Sequence, residues 1–218
     1  MPSRALRKFQ TNMLVDVDRI IETHGELNPD GPGRRGLGHL TRAGVLLACA
    51  AWELYLEELL RESVRVVIEL VDDPAQLPKP VQKEIAKAVR ESKHELKPLE
   101  LAGDGWTAVY EAHAVQMVGR LNTPKSTLVD PLYESLVGIG SISSHWPRTA
   151  IDIDTFVSVR GDIAHSGSEA GYVTIADLRA YRELIVTAVR ATDNAMSDFI
   201  RDCTGSRPWN RRRNGSDQ

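Results

Sequence analysis

The sequence predicts an all-α fold, and three observations carry this prediction. Apolar residues recur three and four positions apart over most of the 218 residues, which is the spacing of one face of an α-helix. No run of alternating apolar and polar residues is long enough to make a convincing strand. Clusters of glycine, proline, serine and asparagine separate the helical patterns. With 42% hydrophobic residues the chain can bury the core of a single domain, which we place at residues 1–203.

The N-terminal part of the chain predicts two helices and a long connection between them. Residues 9–24 have the pattern of an amphipathic helix, and residues 39–71 carry the longest helical pattern of the chain. Between them lies a stretch rich in glycine and proline, with a GxGxxG pattern at residues 31–36. That pattern binds dinucleotides only where it joins a strand to a helix. Because no strand precedes it, we interpret the stretch as a flexible connection.

Further helices complete the predicted order. Apolar spacing places four of them at residues 79–92, 106–121, 131–137 and 151–165. Asp130 before Pro131 has the pattern of an N-cap followed by proline at the first helical position. Thr174 is the expected N-cap of the last helix, which ends near Cys203. The composition of residues 204–218 predicts a disordered, basic tail.

Charge and cysteine content narrow the possible functions. The formal net charge of -3 gives no global basic field, so contact with nucleic acid requires a local patch. The two cysteines form neither a ligand cluster nor a redox pair, which favours a cytoplasmic protein. The longest apolar run is about half of the roughly 20 residues that a bilayer span needs, and no secretory signal is recognisable. The histidines lack metal-ligand spacing, so we expect no metal and no cofactor.

Arg160 and His165 are the strongest candidates for chemistry. RNA can be cleaved without a metal when a base takes the proton of its 2′-hydroxyl and a cation stabilises the charge that develops on the phosphate. Histidine exchanges protons near neutral pH, and the guanidinium of arginine binds two phosphate oxygens at once. In a regular α-helix, however, side chains five positions apart diverge by about 140°. The two can meet only if the helix ends or bends near Gly161 to Gly167, or if a second subunit completes the site, which we favour.

Four blocks of sequence carry a resemblance to a known family. They are LTRAGVLLACAAWELYL at residues 40–56, VDPLY with VGI and a tryptophan at residues 129–146, the R-x4-H motif with the serine and glycine after it at residues 159–167, and the amphipathic last helix. Together they resemble the HEPN domain of the RiboL-PSP type over residues 39–200. The R-x4-H motif, which runs from Arg160 to His165, is the most specific of the four.

The resemblance implies an HEPN-like helical bundle of four core helices with additional helices. It implies a homodimer whose motifs face each other and, in active members, metal-independent endoribonuclease activity with Arg160 and His165 as catalytic residues. RNA as substrate, a toxin or antiphage role, and an antitoxin or defence partner protein are implied as well. Gly161 stands where the family usually has a polar residue, which Asp162 can supply one position later. The alternative is a non-catalytic adaptor or a module that binds nucleotides or proteins, as in other HEPN domains.

Other residues allow two interpretations each. Glu53, in an apolar helix, either orients Arg160 or His165 or forms a structural pair, because an unpaired buried carboxylate is costly. Asp162 either fixes the imidazole tautomer of His165 or faces water. In the tail, a basic cluster beside an aromatic residue either contacts RNA phosphates and stacks a base or merely solubilises the chain. That cluster consists of Trp209, Arg211, Arg212 and Arg213.

Overall fold

The all-α fold is confirmed in the computed structural model, which describes residues 1–29, 36–146 and 149–211. Those residues contain no strand, and none of their helices combines the length and the apolar character needed to cross a membrane. Most of the GxGxxG pattern lies outside the described residues. The α-helices are α1 (Arg4–Lys8), α2 (Val15–Leu27), α3 (Gly38–Leu70), α4 (Lys79–Arg90), α5 (Gly105–Val118), α6 (Ser126–Leu136), α7 (Ala150–Ser166) and α8 (Ile175–Thr204). One π-helical turn, Phe9–Met13, joins α1 to α2.

The long helix α3 is the one around which the others pack. It contacts α1, α2, α5, α6, α7 and α8, and Val45, Trp52 and Leu56 are among its fully buried side chains. At Gly44, α8 approaches so closely that a Cβ atom would lie 2.4 Å from Cδ2 of Leu178. Glycine at this position therefore lets α3 and α8 pack directly against each other.

Buried tyrosines join the core helices through their hydroxyl groups. Tyr55 Oη on α3 donates to the Val189 carbonyl on α8 at 2.9 Å. Tyr133 Oη on α6 donates to the Leu56 carbonyl on α3, also at 2.9 Å. Because a buried polar atom is costly without a partner, these bonds favour one orientation of α6 and α8 against α3.

The start of α6 differs from the prediction. The helix begins at Ser126, so Pro131 lies inside it and Asp130 is not its N-cap. The carboxylate of Asp154 on α7 accepts hydrogen bonds from Ser126 N at 2.7 Å and from Ser126 Oγ at 2.6 Å. Asp130 accepts the equivalent pair of bonds from Ser143. The N-cap prediction is wrong because a side chain distant in sequence satisfies the first turn of α6.

Capping boxes set the starts of α7 and α8. The predicted N-cap of α8 is confirmed: Thr174 Oγ1 accepts from Asp177 N at 3.0 Å, and the Asp177 carboxylate accepts from Thr174 N at 2.9 Å. Thr149 and Asp152 form the same arrangement at the start of α7. Such reciprocal bonds satisfy two of the free amides that every helix start leaves. The register of α7, which carries the motif, is therefore defined from its first turn.

The C-terminal segment, residues 204–211, packs against α8. The chain turns back at Gly205, which adopts a left-handed φ of 75°. Trp209 is only 6% exposed, and its Nε1 donates to the Asp193 carbonyl at 3.1 Å. The Trp209 carbonyl accepts a bond from Ser197 Oγ at 2.6 Å. Burial of a large aromatic side chain thus gives residues 204–211 packed contacts, whereas the composition of residues 204–218 favours disorder.

Candidate functional site

The motif residues Arg160 and His165 lie in one continuous helix, α7. The predicted helix end near Gly167 is confirmed, and Gly167 follows the last helical residue with a φ of 54°. That end lies beyond His165, so the helix is uninterrupted between the two motif residues. Their side chains consequently diverge by about 140°, and their Cα atoms are about 7.5 Å apart along the helix axis. A single chain does not bring Arg160 and His165 together.

Arg160 belongs to the side of α7 that faces the protein interior. Phe156, one turn before it, and Ile163, one turn after it, are both buried. Arg160 itself is half-buried, since its long side chain emerges from this packed side. The helix register therefore directs the guanidinium towards α3 rather than into open solvent.

Cys49 and Glu53 lie one turn apart on α3, and the positive charge of Arg160 lowers the pKa of both side chains. Burial raises the pKa of Cys49 to about 11, and Arg160 opposes that rise. Burial also raises the pKa of Glu53, while Arg160 lowers it and the neighbouring Glu57 raises it further. The charge of Arg160 therefore favours the ionised form of Glu53, against the effect of burial.

Glu53 is half-buried and has an unsatisfied oxygen. Its Oε2 is buried and has no hydrogen-bond partner among the described residues. Glu57, one turn further along α3, is paired with Arg61 at 2.9 Å. The expected partner of Glu53 is thus present as a nearby charge, Arg160, and not as a hydrogen-bonded pair. The free oxygen can accept a hydrogen bond from a reoriented guanidinium or from a bound molecule.

His165 and Asp162 are exposed in the last turns of α7. Residues three positions apart are neighbours on a helix surface. In the part of the chain that the structure describes, no hydrogen bond joins the two side chains, so the tautomer-fixing role of Asp162 stays a prediction. The exposed imidazole can exchange protons with a molecule that approaches from outside the protein.

A strip of apolar side chains on α3 lies open to solvent beside Glu53. We call it the open α3 face, and it consists of Leu47, Ala50 and Leu54. Leu47 and Leu54 are each 39% exposed, and Ala50 between them is exposed as well. Steps of three and four residues place all three on one side of the helix. No described element of the chain covers this strip, although the sequence of α3 is apolar nearly all round in this half.

The basic cluster of the tail is only partly available to RNA. Trp209 is buried against α8, so its ring is not open to a base in this conformation, and its base-stacking role stays a prediction. Arg211 forms an ion pair with Asp198 at 3.1 Å, and its side chain is 58% exposed. Arg212 and Arg213 lie outside the described residues. An RNA contact by this cluster therefore stays a prediction.

Sequence reasoning missed a groove of about 770 Å³ along the outer side of α8. Its walls include His145 from the connection before α7, Asn194 and Phe199 from α8, and Arg211 from the C-terminal segment. No local motif marks this groove, because its lining residues come from three separate parts of the chain.

The described residues offer no metal centre. No group of three histidine, cysteine, aspartate or glutamate side chains among them could hold an ion. His113 and Glu84 form a pair at 3.2 Å without a third ligand of this kind.

An all-α bundle that carries an R-x4-H motif on one helix is the arrangement that the HEPN resemblance implies. The model of the RiboL-PSP-HEPN family matches residues 12–198, which is most of the chain. The chain belongs to this family. Comparisons with curated proteins and with solved structures gave no match. Membership of the HEPN class supports a nuclease or a nucleotide-binding module.

Proposed function

We propose that this protein is a metal-independent endoribonuclease of the HEPN type. The observation that carries the proposal is the placement of its two motif residues. Arg160 is half-buried and near enough to Glu53 on α3 for its charge to lower the pKa of that carboxyl, and His165 is exposed further along the same helix. A motif with only a packing role would be sealed in the core, whereas this one presents an imidazole to solvent.

His165 is the proposed acid–base group. It takes the proton of the 2′-hydroxyl while that oxygen attacks the adjacent phosphorus. The bond from phosphorus to the 5′-oxygen then breaks while the protonated imidazole of His165 returns its proton to the 5′-oxygen. One product ends in a 2′,3′-cyclic phosphate and the other begins with a 5′-hydroxyl. A positioned acid–base group contributes on the order of 10²- to 10⁴-fold in rate.

Arg160 is the proposed phosphate-binding residue. Its guanidinium donates to the two non-bridging oxygens and stabilises the additional negative charge of the transition state. Glu53 acts as a positioning residue in this scheme, because its half-buried carboxylate attracts the guanidinium without closing a hydrogen bond that the phosphate would have to break. Asp162 is the polar group that we assign in place of the one missing at Gly161.

A second copy of the chain completes the proposed site. Arg160 and His165 diverge on a continuous helix, so one phosphate cannot contact both side chains of one chain without distortion. The open α3 face adjoins Glu53 and presents Leu47 and Leu54 to solvent. Two-fold pairing through this face buries the apolar strip of both copies and places the two motif helices at one seam.

We assign the ribonuclease to the cytoplasm, as a toxin or antiphage defence effector. An endoribonuclease that attacks cellular RNA must be restrained until it is needed, so an antitoxin or defence partner protein belongs to the same proposal. The arginines of the tail, Arg211, Arg212 and Arg213, are the proposed additional contacts to RNA phosphates.

Expression of single variants tests the activity. Total RNA is compared after induction of the wild type, His165→Ala and Arg160→Ala, and the purified proteins are assayed on RNA in EDTA. Matched controls are His94→Ala and Arg90→Ala, which remove an exposed histidine and an exposed arginine elsewhere. We expect cleavage in EDTA by the wild type and both controls, and its loss in the two motif variants.

Two results separate the proposal from its alternative. Identical RNA profiles for the wild type and both motif variants would exclude the endoribonuclease. If the inactive wild type nevertheless binds a nucleotide or a protein, and Arg160→Ala abolishes that binding, the motif belongs to a non-catalytic HEPN adaptor.

A further inference from the structure

An apolar slot lies between α5 and α6, on the far side of α6 from its buried tyrosine. It encloses about 370 Å³. The wall on α6 is formed by residues three and four positions apart, which therefore share one side of the helix. They are Leu128, Pro131, Leu132 and Ser135. Its apolar lining consists of Met117, Leu121, Leu128, Pro131 and Leu132, with Ser135 at one end.

The slot stays open although its wall is apolar. Leu128 is 49% exposed and Pro131 is exposed as well, whereas Leu121 and Leu132 at the bottom are buried. A narrow apolar depression with a buried floor and open walls is the shape that binds small molecules, and such pockets commonly start at about 300 Å³.

A mouth lined by charged side chains of both signs adjoins the slot. A second cleft of about 470 Å³, between α4 and α5, shares Glu84, Lys87, Met117 and Arg120 with it. Glu84 is held by His113 at 3.2 Å and by Lys87 at 3.7 Å. Arg120 contacts only the sulfur of Met117, at 3.8 Å, and no described carboxylate forms an ion pair with it.

Of the charged side chains that line both the slot and the second cleft, Arg120 alone has no ion pair among the described residues. The acidic Glu84 is already matched by Lys87, while the guanidinium of Arg120 is left for an external anion. Arg120 and Leu121 are consecutive, so the cation stands directly at the entrance of the apolar floor. A guanidinium binds a carboxylate through two parallel hydrogen bonds.

We propose that this slot binds a small organic carboxylate with an apolar body. The apolar body lies between α5 and α6 against Leu121, Leu128 and Leu132, and the carboxylate pairs with Arg120 at the mouth. This site is separate from the R-x4-H motif on α7 and does not depend on the proposed ribonuclease activity.

Other occupants fit the slot less well. A peptide helix is about 10 Å across with its side chains, and the enclosed volume of about 370 Å³ suits a single alkyl chain or ring instead. A cationic ligand would meet the guanidinium of Arg120 at the entrance and be repelled by it.

Isothermal titration calorimetry of the full chain with decanoate tests the proposal. Decyltrimethylammonium, which has the same chain and the opposite charge, is the ligand control. Arg120→Gln removes the cation and should weaken decanoate binding about tenfold, the loss of one charge-assisted contact. Ser135→Phe fills the end of the slot and should abolish binding. Arg90→Gln, an exposed arginine of α4 that does not line either cleft, should bind decanoate like the wild type.

Three outcomes would overturn the proposal. The first is the absence of decanoate binding to the wild type, and the second is equal binding of the cationic ligand. The third is unchanged decanoate affinity in Arg120→Gln when far-UV circular dichroism shows that the variant is folded. The slot could instead be filled by a second copy of the chain, and analytical sedimentation of Leu128→Glu tests this. If the wild type is a dimer and this variant is a monomer, the slot is a dimer contact and the carboxylate proposal is overturned.

Discussion

Replacing Asp193 by asparagine should remove a pH dependence from the stability of the fold. Asp193 lies on α8, is contacted by Ser3 and Trp209, and has no solvent exposure. Ser3 Oγ donates to its Oδ1, and its Oδ2 has no hydrogen-bond partner among the described residues. Burial raises the pKa of Asp193 from 3.8 to about 7, and the negative charge of Glu62 adds to the rise.

The size of the effect follows from the two pKa values. Their difference corresponds to about 4 kcal/mol, because each tenfold change in proton affinity is worth about 1.4 kcal/mol. The folded state keeps the proton of Asp193 to higher pH than the unfolded state does. Its contribution to stability is therefore complete below about pH 4, falls as the unfolded chain ionises, and is lost once the pH passes about 7.

Urea unfolding of the wild type and of Asp193→Asn, measured between about pH 4 and about pH 8, tests this reasoning. Asparagine keeps the acceptor for Ser3 and cannot ionise. We expect similar free energies of unfolding at the acidic end and a gap that grows to about 4 kcal/mol in favour of the variant at the alkaline end. Asp104→Asn, at an exposed aspartate, should follow the wild type throughout. If the free energy of unfolding differs between the wild type and Asp193→Asn by the same amount at every pH, the conclusion that Asp193 is protonated in the folded state is wrong.

Substitutions at three further positions test other parts of the account. Trp209→Ala should lower the free energy of unfolding by about 3–5 kcal/mol, because it empties a buried aromatic position, whereas Tyr172→Ala, at a side chain that is 72% exposed, should change it little; equal effects would contradict the ordered C-terminal segment. Gly161→Ala and Gly161→Asn have room for a side chain, so both should stabilise α7, alanine by about 0.5–1 kcal/mol, and only asparagine should raise RNA cleavage; a gain with alanine alone would speak against a polar group at this position. Asp154→Ala should cost about 1–2 kcal/mol in urea unfolding by removing the cap of Ser126, and an unchanged midpoint would show that water replaces the cap.

The helices could be predicted from the sequence because helical periodicity is a local signal. The long helix α3 was expected at residues 39–71 and occupies Gly38–Leu70, and Thr174 caps α8 as its sequence indicates. The start of α6 could not be predicted in this way, since its cap, Asp154, comes from another helix. The local pattern at Asp130 and Pro131 is typical of a helix start, but α6 begins four residues before Asp130, at Ser126.

Residues 204–211 show a second limit of local reasoning. Arginine, glycine and serine around Trp209 give the composition of a disordered segment. Its burial depends on contacts with Asp193 and Ser197, which only the folded protein assembles. The slot at Leu128 and Arg120 is likewise invisible in sequence, because three helices contribute to it and to its mouth.

The geometry of the candidate site was more accessible to sequence reasoning. Helix periodicity alone indicates that Arg160 and His165 diverge, and α7 continues through both residues. Its apolar surroundings in the sequence singled out Glu53 as a carboxylate that needs a partner, and the positive charge of Arg160 does lower its pKa. The open α3 face could not be recognised in advance, because the sequence of α3 is apolar on its buried and its exposed sides alike.

The central claim is that two subunits share one RNA-cleaving site, and complementation between two inactive variants tests it most directly. Arg160→Ala and His165→Ala chains with different tags are co-expressed, and the heterodimer is purified through both tags. One of its two composite sites then combines an intact Arg160 from one chain with an intact His165 from the other. We predict that this heterodimer cleaves RNA in EDTA at about half the wild-type rate, while each homodimeric variant is inactive. A heterodimer that is as inactive as its two parents would contradict the shared site.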